Sequence, residues 1–330
     1  MSDSAPLKAG VVGAGNMGRH HARVYASRPD ATFVGVHDVD DAQAANIADA
    51  YDGESLDLAP LLDRVDCISV AVPTRFHYDI ARQAMERGVH VLVEKPMVKD
   101  PERGRALIDL ADRTDTVLQV GHIERFNPAV EAVRDIVPDL EIIAIEAHRL
   151  GPPVDRGTTD SVALDLMIHD IDIVRTLLDG SIEGISAERT AGGKYVNATM
   201  TYDSGAVAQF TASRLTQRKI RQLSITAKDC YITIDFADQD VYVHRQSVPE
   251  YVSTNGDVKY RHQSITERPV VENGEPLERE LESFLSAIRT GSEPAVTGAD
   301  GVAALELART IDDGGSRSPT TPVPASQDGR

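Results

Sequence analysis

The segment Gly13-Ala14-Gly15-Asn16-Met17-Gly18 constrains this chain more than any other stretch. It follows a short apolar run, Leu7–Val12, and precedes residues with helical spacing, Met17–Ser27. A G-x-G-x-x-G interval between a strand and a helix is the entry to a dinucleotide-binding βαβ unit. The three glycines act differently. Gly13 permits the tight turn, Gly15 lets the backbone approach a pyrophosphate, and Gly18 lets the helix lie close to the sheet. The helix N-terminus then offers amides and the positive end of its dipole to the phosphates. Asp38 lies 20 residues beyond Gly18, after a second β-branched run, Thr32–Val36. There it can accept hydrogen bonds from both ribose hydroxyls. Its charge would repel a 2′-phosphate, so NAD is favoured over NADP, although His37 beside it leaves some room for NADP.

The rest of the first third alternates between strand and helix. Cys67–Val72, Val89–Val93 and Val117–Gly121 read as strands; Ala42–Ala50, His77–Arg87 and Pro101–Arg113 read as helices. Strands separated by helices of this length imply right-handed crossovers and a parallel sheet covered on both faces. The texture changes near Phe126. Asn127–Val137 has helical character, Leu140–His148 reads as a strand, and Val162–Leu178 reads as a long helix. From Gly184 to about Arg245, short β runs alternate with turn residues, which suggests a largely antiparallel sheet. Glu278–Arg289 and Ala299–Asp312 return to helix, and Gly314–Arg330 has the composition of a disordered tail. The expected class is α/β: a doubly wound parallel sheet over 1–125, then an α+β domain with an open, mostly antiparallel sheet over 126–313, then a tail over 314–330.

Composition narrows the partners. The formal net charge is −18, so nucleic acid and anionic membranes are repelled at long range. Asp outnumbers Glu by 33 to 19 and Arg outnumbers Lys by 27 to 7, an inventory suited to high internal salt and a halophilic setting. No apolar run reaches the roughly 18 residues of a membrane span, and the N-terminus lacks the pattern of a secretory signal. The two cysteines, Cys67 and Cys230, exclude a disulfide framework and a cysteine-based zinc site, and fit a reducing cytoplasm. Among the ten histidines no pair has metal-ligand spacing with a neighbouring ligand, so no metal is expected. His20-His21 is expected on the first helix, beside the cofactor or at the surface.

Two further features carry chemistry. Val91-Leu92-Val93-Glu94-Lys95-Pro96 places a lysine where a parallel strand runs out, the edge at which ligands of open α/β sheets bind. An ammonium there can stabilise negative charge as a hydroxyl gives up its proton. Glu94 reads equally as a functional partner or as an anchor to backbone or arginine. Asp165 and His169 are four residues apart in a predicted helix and therefore share a face. A histidine near a carboxylate can accept a proton near neutral pH.

Taken in order, Gly13–Gly18, Pro73-Thr74 with His77, Glu94-Lys95-Pro96, Asp165-x-x-x-His169-Asp170 and the closing Pro276-Leu277…Glu280…Phe284 and Gly298-Ala299-Asp300 segments resemble the glucose-fructose oxidoreductase/inositol dehydrogenase/MocA (Gfo/Idh/MocA) family. The resemblance runs from Val11 to about Asp312. It implies a Rossmann domain and a second domain whose open sheet forms contacts within a homo-oligomer, a dimer or tetramer. It implies Lys95, Asp165 and His169 as catalytic groups. It also implies cofactor contacts at Gly13, Gly15, Asn16, Met17, Gly18, Asp38, Val72, Pro73, Thr74, His77, Glu94 and Lys95.

The segment Gly121–Pro128 and the Arg149–Arg156 loop look like the branch of that family that oxidises C3 of UDP-N-acetylglucosamine. His122, Arg125, Asn127, Arg149 and Arg156, with His169, would be its substrate contacts, the arginines supplying the local positive charge an acidic protein needs to bind a diphosphate. In this scheme His169 takes the hydroxyl proton, or exchanges that role with Lys95. Other sugars or inositols, including UDP-N-acetylglucosaminuronate, stay open as substrates. So does a non-catalytic sensor that binds NAD and sugar.

Overall fold

The computed structural model describes residues 5–153, 161–246, 250–254, 257–261 and 263–317. The chain divides into two compact units. The first comprises residues 1–126 and 275–306, and the second residues 127–274 and 307–330. The order of the sequence places 275–306 in the second domain. The structure assigns it to the first because the apolar side of one helix completes the first core.

The first unit holds a six-stranded sheet in the order β3-β2-β1-β4-β5-β6, with every adjacent pair parallel. The strands are β1 (Leu7–Val12), β2 (Ala31–His37), β3 (Glu54–Ser55), β4 (Cys67–Val70), β5 (His90–Glu94) and β6 (Leu118–Gly121). The helices between them are α1 (Asn16–Ser27), α2 (Asp41–Ala50), α3 (Leu58–Leu62), α4 (His77–Met85) and α5 (Pro101–Thr114). Every residue of β4 is buried, as a strand covered on both faces requires. The edge strand β3 and the single-turn α3 were not anticipated; both are too short to show a period. β4 also ends at Val70, two residues earlier than its apolar run, because Pro73 and a 3₁₀ turn over Thr74–Phe76 redirect the chain.

Local signals set the helix starts. Asp40 caps α2 by accepting from the amides of Ala42 and Gln43, each at 3.1 Å. Asp100 caps α5 by accepting from Glu102 at 3.2 Å, with Pro101 in the first turn, where its missing N–H costs nothing. The last helix of this unit's core, Pro276–Thr290, supplies Leu277, Leu281, Phe284 and Leu285 to the same buried cluster as Ala22 and Tyr25 of α1.

The second unit is built on a nine-stranded sheet. Its helices are α6 (Pro128–Arg134) and α7 (Ile168–Leu177); Pro276–Thr290 is α8, and α9 (Gly298–Asp312) contains the division after Glu306. The strands are β7 (Ile142–Leu150), β8 (Ile182–Thr190), β9 (Tyr195–Tyr202), β10 (Val207–Ser213), β11 (Ile220–Ala227), β12 (Cys230–Asp235) and β13 (Asp240–Gln246). A separate hairpin, β14 (Glu250–Thr254) and β15 (Asp257–Arg261), precedes β16 (Ser264–Glu267), and β17 (Ser316–Arg317) closes the far edge. The sheet order is β16-β13-β12-β11-β7-β10-β9-β8-β17. Among the described residues of this sheet, only β7 and β10 run parallel; the other neighbours are antiparallel, as the β texture of the sequence implied. α6 packs against β12 and β13, and α7 against β7 and β10.

The first residues of the expected tail include a strand. Ser316 and Arg317 pair with Ser186 and Ile185 of β8. Residues 318–330 of that expectation lie outside the described residues. Among the described residues, no helix is long and apolar enough to cross a membrane.

Candidate functional site

The glycine loop of the first unit has the geometry a dinucleotide needs. Gly13 has φ of +111°, and a Cβ on it would lie 2.5 Å from the Ala71 carbonyl oxygen. A Cβ on Gly18 would lie 1.7 Å from the Gly13 oxygen, so this glycine is what lets α1 approach the turn. Gly15 differs: a Cβ there meets nothing within 4 Å. Its missing side chain leaves open space beside the first turn of α1, whose amides at Asn16, Met17 and Gly18 have no side-chain cap and no acidic neighbour in that turn. An open cradle at a helix N-terminus fits a pyrophosphate. Asp38 stands at the adjoining end of β2, where its carboxylate accepts from the Ala14 amide at 2.5 Å and the Asp40 amide at 2.9 Å.

Lys95 follows the last residue of β5, at the carboxyl edge of the sheet, and is partly exposed. The Lys95–Pro96 peptide is cis. His77, the first residue of α4, is almost completely buried between two carbonyls: Nε2 is 2.7 Å from Val72 O and Nδ1 is 3.0 Å from Pro96 O. Burial holds its pKa below the ordinary histidine value despite the pull of these carbonyls. His77 thus joins the loop after β4, which carries Pro73 and Thr74, to the Lys95-Pro96 corner.

Glu94 is anchored, though not by an arginine. Its Oε1 lies 3.1 Å from His21 Nε2, and its Oε2 accepts from the Lys95 amide at 3.3 Å. Burial favours its neutral form, but the interaction with His21 and, after it, the charge of Lys95 outweigh it and hold the carboxyl below its usual range. His21 is fully buried and contacts Ser69 Oγ at 2.9 Å; it lies neither at the surface nor in a metal cluster. Among the described residues, no group of histidine, cysteine, aspartate and glutamate could hold a metal ion.

In the second unit, Asp165 lies in a π-helical turn, Ala163–Met167, which leads into α7 and so to His169. Ser161 Oγ accepts from the Leu164 amide at 3.2 Å and stabilises the start of this turn. Wide turns of this kind are often retained at functional positions. Asp165 is ion-paired with Arg214, the residue after β10. Sequence reasoning missed Arg214; the only signal was an arginine placed directly after a strand. His169 is half-buried.

Two of the expected substrate arginines, Arg149 and Arg125, are engaged within their own units. Arg149 holds Asp170 through Nε, 3.0 Å from both carboxylate oxygens, and Nη2, 2.7 Å from Oδ1; both side chains are under 5% exposed (4% and 3%). Arg125 reaches Asp300 at 3.1 Å and the Ala295 carbonyl at 3.3 Å. Burial alone would raise the Asp300 pKa, but the Arg125 charge and hydrogen bond lower it. Asn127 caps α6 by accepting from the Ala129 amide and donates to Phe236 O, each within 3.1 Å. His122 is buried within the first unit. Arg156 lies outside the described residues.

Comparison with known proteins places this geometry. Residues 7–122 match the oxidoreductase family described as having an NAD-binding Rossmann fold, and residues 145–232 match the GFO/IDH/MocA C-terminal domain. The chain is 32% identical over 291 residues to UDP-N-acetylglucosamine 3-dehydrogenase of Acidithiobacillus ferrooxidans, covering 86% of this chain and 88% of that protein. It is 31% identical over 324 residues to inositol 2-dehydrogenase of Rhizobium meliloti, covering 92% and 94%. A solved structure of the Acidithiobacillus ferrooxidans enzyme superposes with a TM-score of 0.85 at 30% identity, covering 93% of this chain and 97% of that one. The chain belongs to the Gfo/Idh/MocA family of oxidoreductases.

Proposed function

We propose that the protein oxidises a secondary hydroxyl of a sugar nucleotide, with C3 of UDP-N-acetylglucosamine as the first candidate, and that NAD is preferred to NADP. The near full-length similarity to a UDP-N-acetylglucosamine 3-dehydrogenase carries this reading. The presence of Lys95, Asp165 and His169 together supports it, since a sensor without turnover has no use for all three. Bound NAD would take the hydride from the alcohol carbon. His169 accepts the hydroxyl proton, the Lys95 ammonium stabilises the developing alkoxide, and Asp165 orients the sugar through a hydroxyl. The carbon loses one hydride and the oxygen one proton, leaving a ketone. The Asp38 carboxylate at the ribose end opposes a 2′-phosphate by charge.

A second reading has its own support. The sequence identity to an inositol 2-dehydrogenase, 31%, is close to the 32% of the first relative and extends over a longer stretch. Moreover, Arg149 and Arg125 are each engaged with an aspartate. Such pairs offer less net positive charge to a diphosphate than free arginines would. That favours a cyclic polyol without a nucleotide.

One assay separates the readings. UDP-N-acetylglucosamine, UDP-N-acetylglucosaminuronate, free aldoses and myo-inositol are offered with NAD or NADP, and absorbance of the reduced nicotinamide is followed. Turnover of the first sugar alone, with a 3-keto product, supports the first reading; turnover of inositol alone supports the second. Lys95→Ala lowers turnover by ~10²–10⁴-fold, the range of acid–base and charge assistance; a folded variant with normal turnover refutes the scheme. We also propose a homo-oligomer assembled through the open face of the nine-stranded sheet, where Glu146, His148 and Tyr231 are exposed. Light scattering that gives the mass of a single chain refutes that.

A further inference from the structure

Behind Lys95, the first unit buries a row of polar side chains that the dehydrogenase scheme does not use. Tyr25 OH lies 2.9 Å from Ser69 Oγ, Ser69 Oγ lies 2.9 Å from His21 Nδ1, and His21 Nε2 lies 3.1 Å from Glu94 Oε1. Tyr25, Ser69 and His21 are all fully buried. The row crosses from α1 to β4, back to α1, and on to the end of β5.

We propose that Tyr25, Ser69 and His21 form a directed hydrogen-bond chain that ends on Glu94, keeps this carboxylate charged inside the first unit, and makes Glu94 the positioning residue of Lys95. The inference rests on the assignment of Lys95 as a catalytic group.

Donor and acceptor chemistry sets the direction. An ionised carboxylate only accepts, so His21 presents N–H at Nε2. Nδ1 then carries a lone pair and accepts from the Ser69 hydroxyl. Ser69 in turn accepts from Tyr25, whose phenol burial keeps protonated. One neutral tautomer of His21 therefore satisfies every member of the row, and a buried row of this kind is stable only when every member is satisfied. The other carboxylate oxygen receives the Lys95 amide. The backbone from which the ammonium extends is thus tied to the row.

The surroundings leave room for one negative charge. Gly121 of β6 makes space for the carboxylate, because a Cβ there would lie 3.3 Å from Oε2. The titratable groups whose charge acts on or is acted on by Glu94 are His21 from α1, Lys95 directly after its own strand, His77 from α4 and Glu280 from α8. Glu280 is fully buried, and neither of its carboxylate oxygens has a hydrogen-bond partner among the described residues. A buried carboxyl without donors favours its neutral form, and the Glu94 charge adds to that at Glu280. Glu94, with two donors, takes the charge, and Glu280 keeps its proton.

The test combines carboxyl-carbon NMR with pH profiles of the intact protein. In ¹³C-glutamate-labelled protein, the resonance lost in Glu94→Gln should be ionised across the neutral range, while the one lost in Glu280→Gln should be protonated there. In His21→Leu, loss of a hydrogen bond to a charged group should raise the Glu94 pKa by about one to two pH units. Turnover should then fall on the acid side and recover as pH rises, with the KM for NAD unchanged. His21→Gln, whose amide can still donate, should restore both the resonance and the profile. A wild-type Glu94 resonance that is protonated at neutral pH overturns the proposal. So does a His21→Leu protein whose Glu94 titration is unaltered, or whose turnover falls by one factor at every pH. If no sugar is oxidised, the functional reading fails, and the NMR result still decides the relay.

Discussion

The backbone amide of Ala14 donates to the Asp38 carboxylate at 2.5 Å. The acidic residue that follows β2 therefore holds the glycine loop, and in the proposed cofactor site it also presents charge at the ribose end. Asp38→Asn keeps an oxygen acceptor for Ala14 but removes the charge. It should narrow the preference for NAD over NADP by on the order of tenfold, about 1.4 kcal/mol, with little change in folding. Asp38→Ala should weaken both cofactors by loosening the loop. Binding titrations of the two dinucleotides check this, and an unchanged preference in Asp38→Asn counts against the charge argument.

Gly15 and Gly18 should respond to alanine in opposite ways. A Cβ at Gly15 meets no protein atom within 4 Å, so Gly15→Ala should fold within about 0.5 kcal/mol of wild type yet bind dinucleotide poorly. A Cβ at Gly18 would lie 1.7 Å from the Gly13 oxygen, so Gly18→Ala should lose folded stability as well. Thermal unfolding paired with NAD titration separates the two. Equal behaviour would mean that Gly15 does not border the pyrophosphate.

The Arg149–Asp170 pair predicts a stability effect in place of a substrate effect. Asp170→Asn removes the carboxylate from a buried guanidinium and should cost about 3–5 kcal/mol. Arg149→Met combined with Asp170→Leu should recover most of that loss, because two charges no longer need burial. Urea unfolding measures both. If Arg149→Met instead raises the KM for a sugar nucleotide and leaves stability intact, the arginine contacts substrate.

Glu280 predicts the sign of a pH dependence. Burial first, and the Glu94 charge second, push its carboxyl well above the ordinary glutamate value. In the unfolded chain it titrates near pH ~4.3. Between that value and the folded one, the folded protein binds one more proton, so its stability contribution is full at low pH and declines as pH rises. The decline is about 1.4 kcal/mol per pH unit within that window. Glu280→Gln should abolish this slope and be the more stable protein at neutral pH. Parallel slopes for the two proteins, measured as urea midpoints at several pH values, would refute the assignment.

Much of the local geometry of the candidate site was legible because its signals are local. The glycine interval, the strand before it and Asp38 all lie within one βαβ unit, so backbone sterics and chain direction specify them together. The position of Lys95 at a strand end followed from the same logic. Arg214 was not legible, because its pairing with Asp165 joins residues 49 apart through sheet register. His21 lies on the first helix as expected, but the choice left open there, beside the cofactor or at the surface, was not legible for a similar reason: only its contacts on β4 and β5 show that it is buried.

The linear sequence alone determined that a glycine-rich turn joins the first strand to the first helix, that parallel βαβ units follow it, and that a largely antiparallel sheet comes next. Those features depend on periodicity, glycine sterics and turn chemistry within a few residues. Tertiary structure alone decided that α8 completes the first core, that Arg149 and Arg125 meet aspartates, and that Glu94 and Glu280 are both buried in the first unit. Burial and charge pairing depend on which distant segments meet, and that information is not present in any local window of the chain.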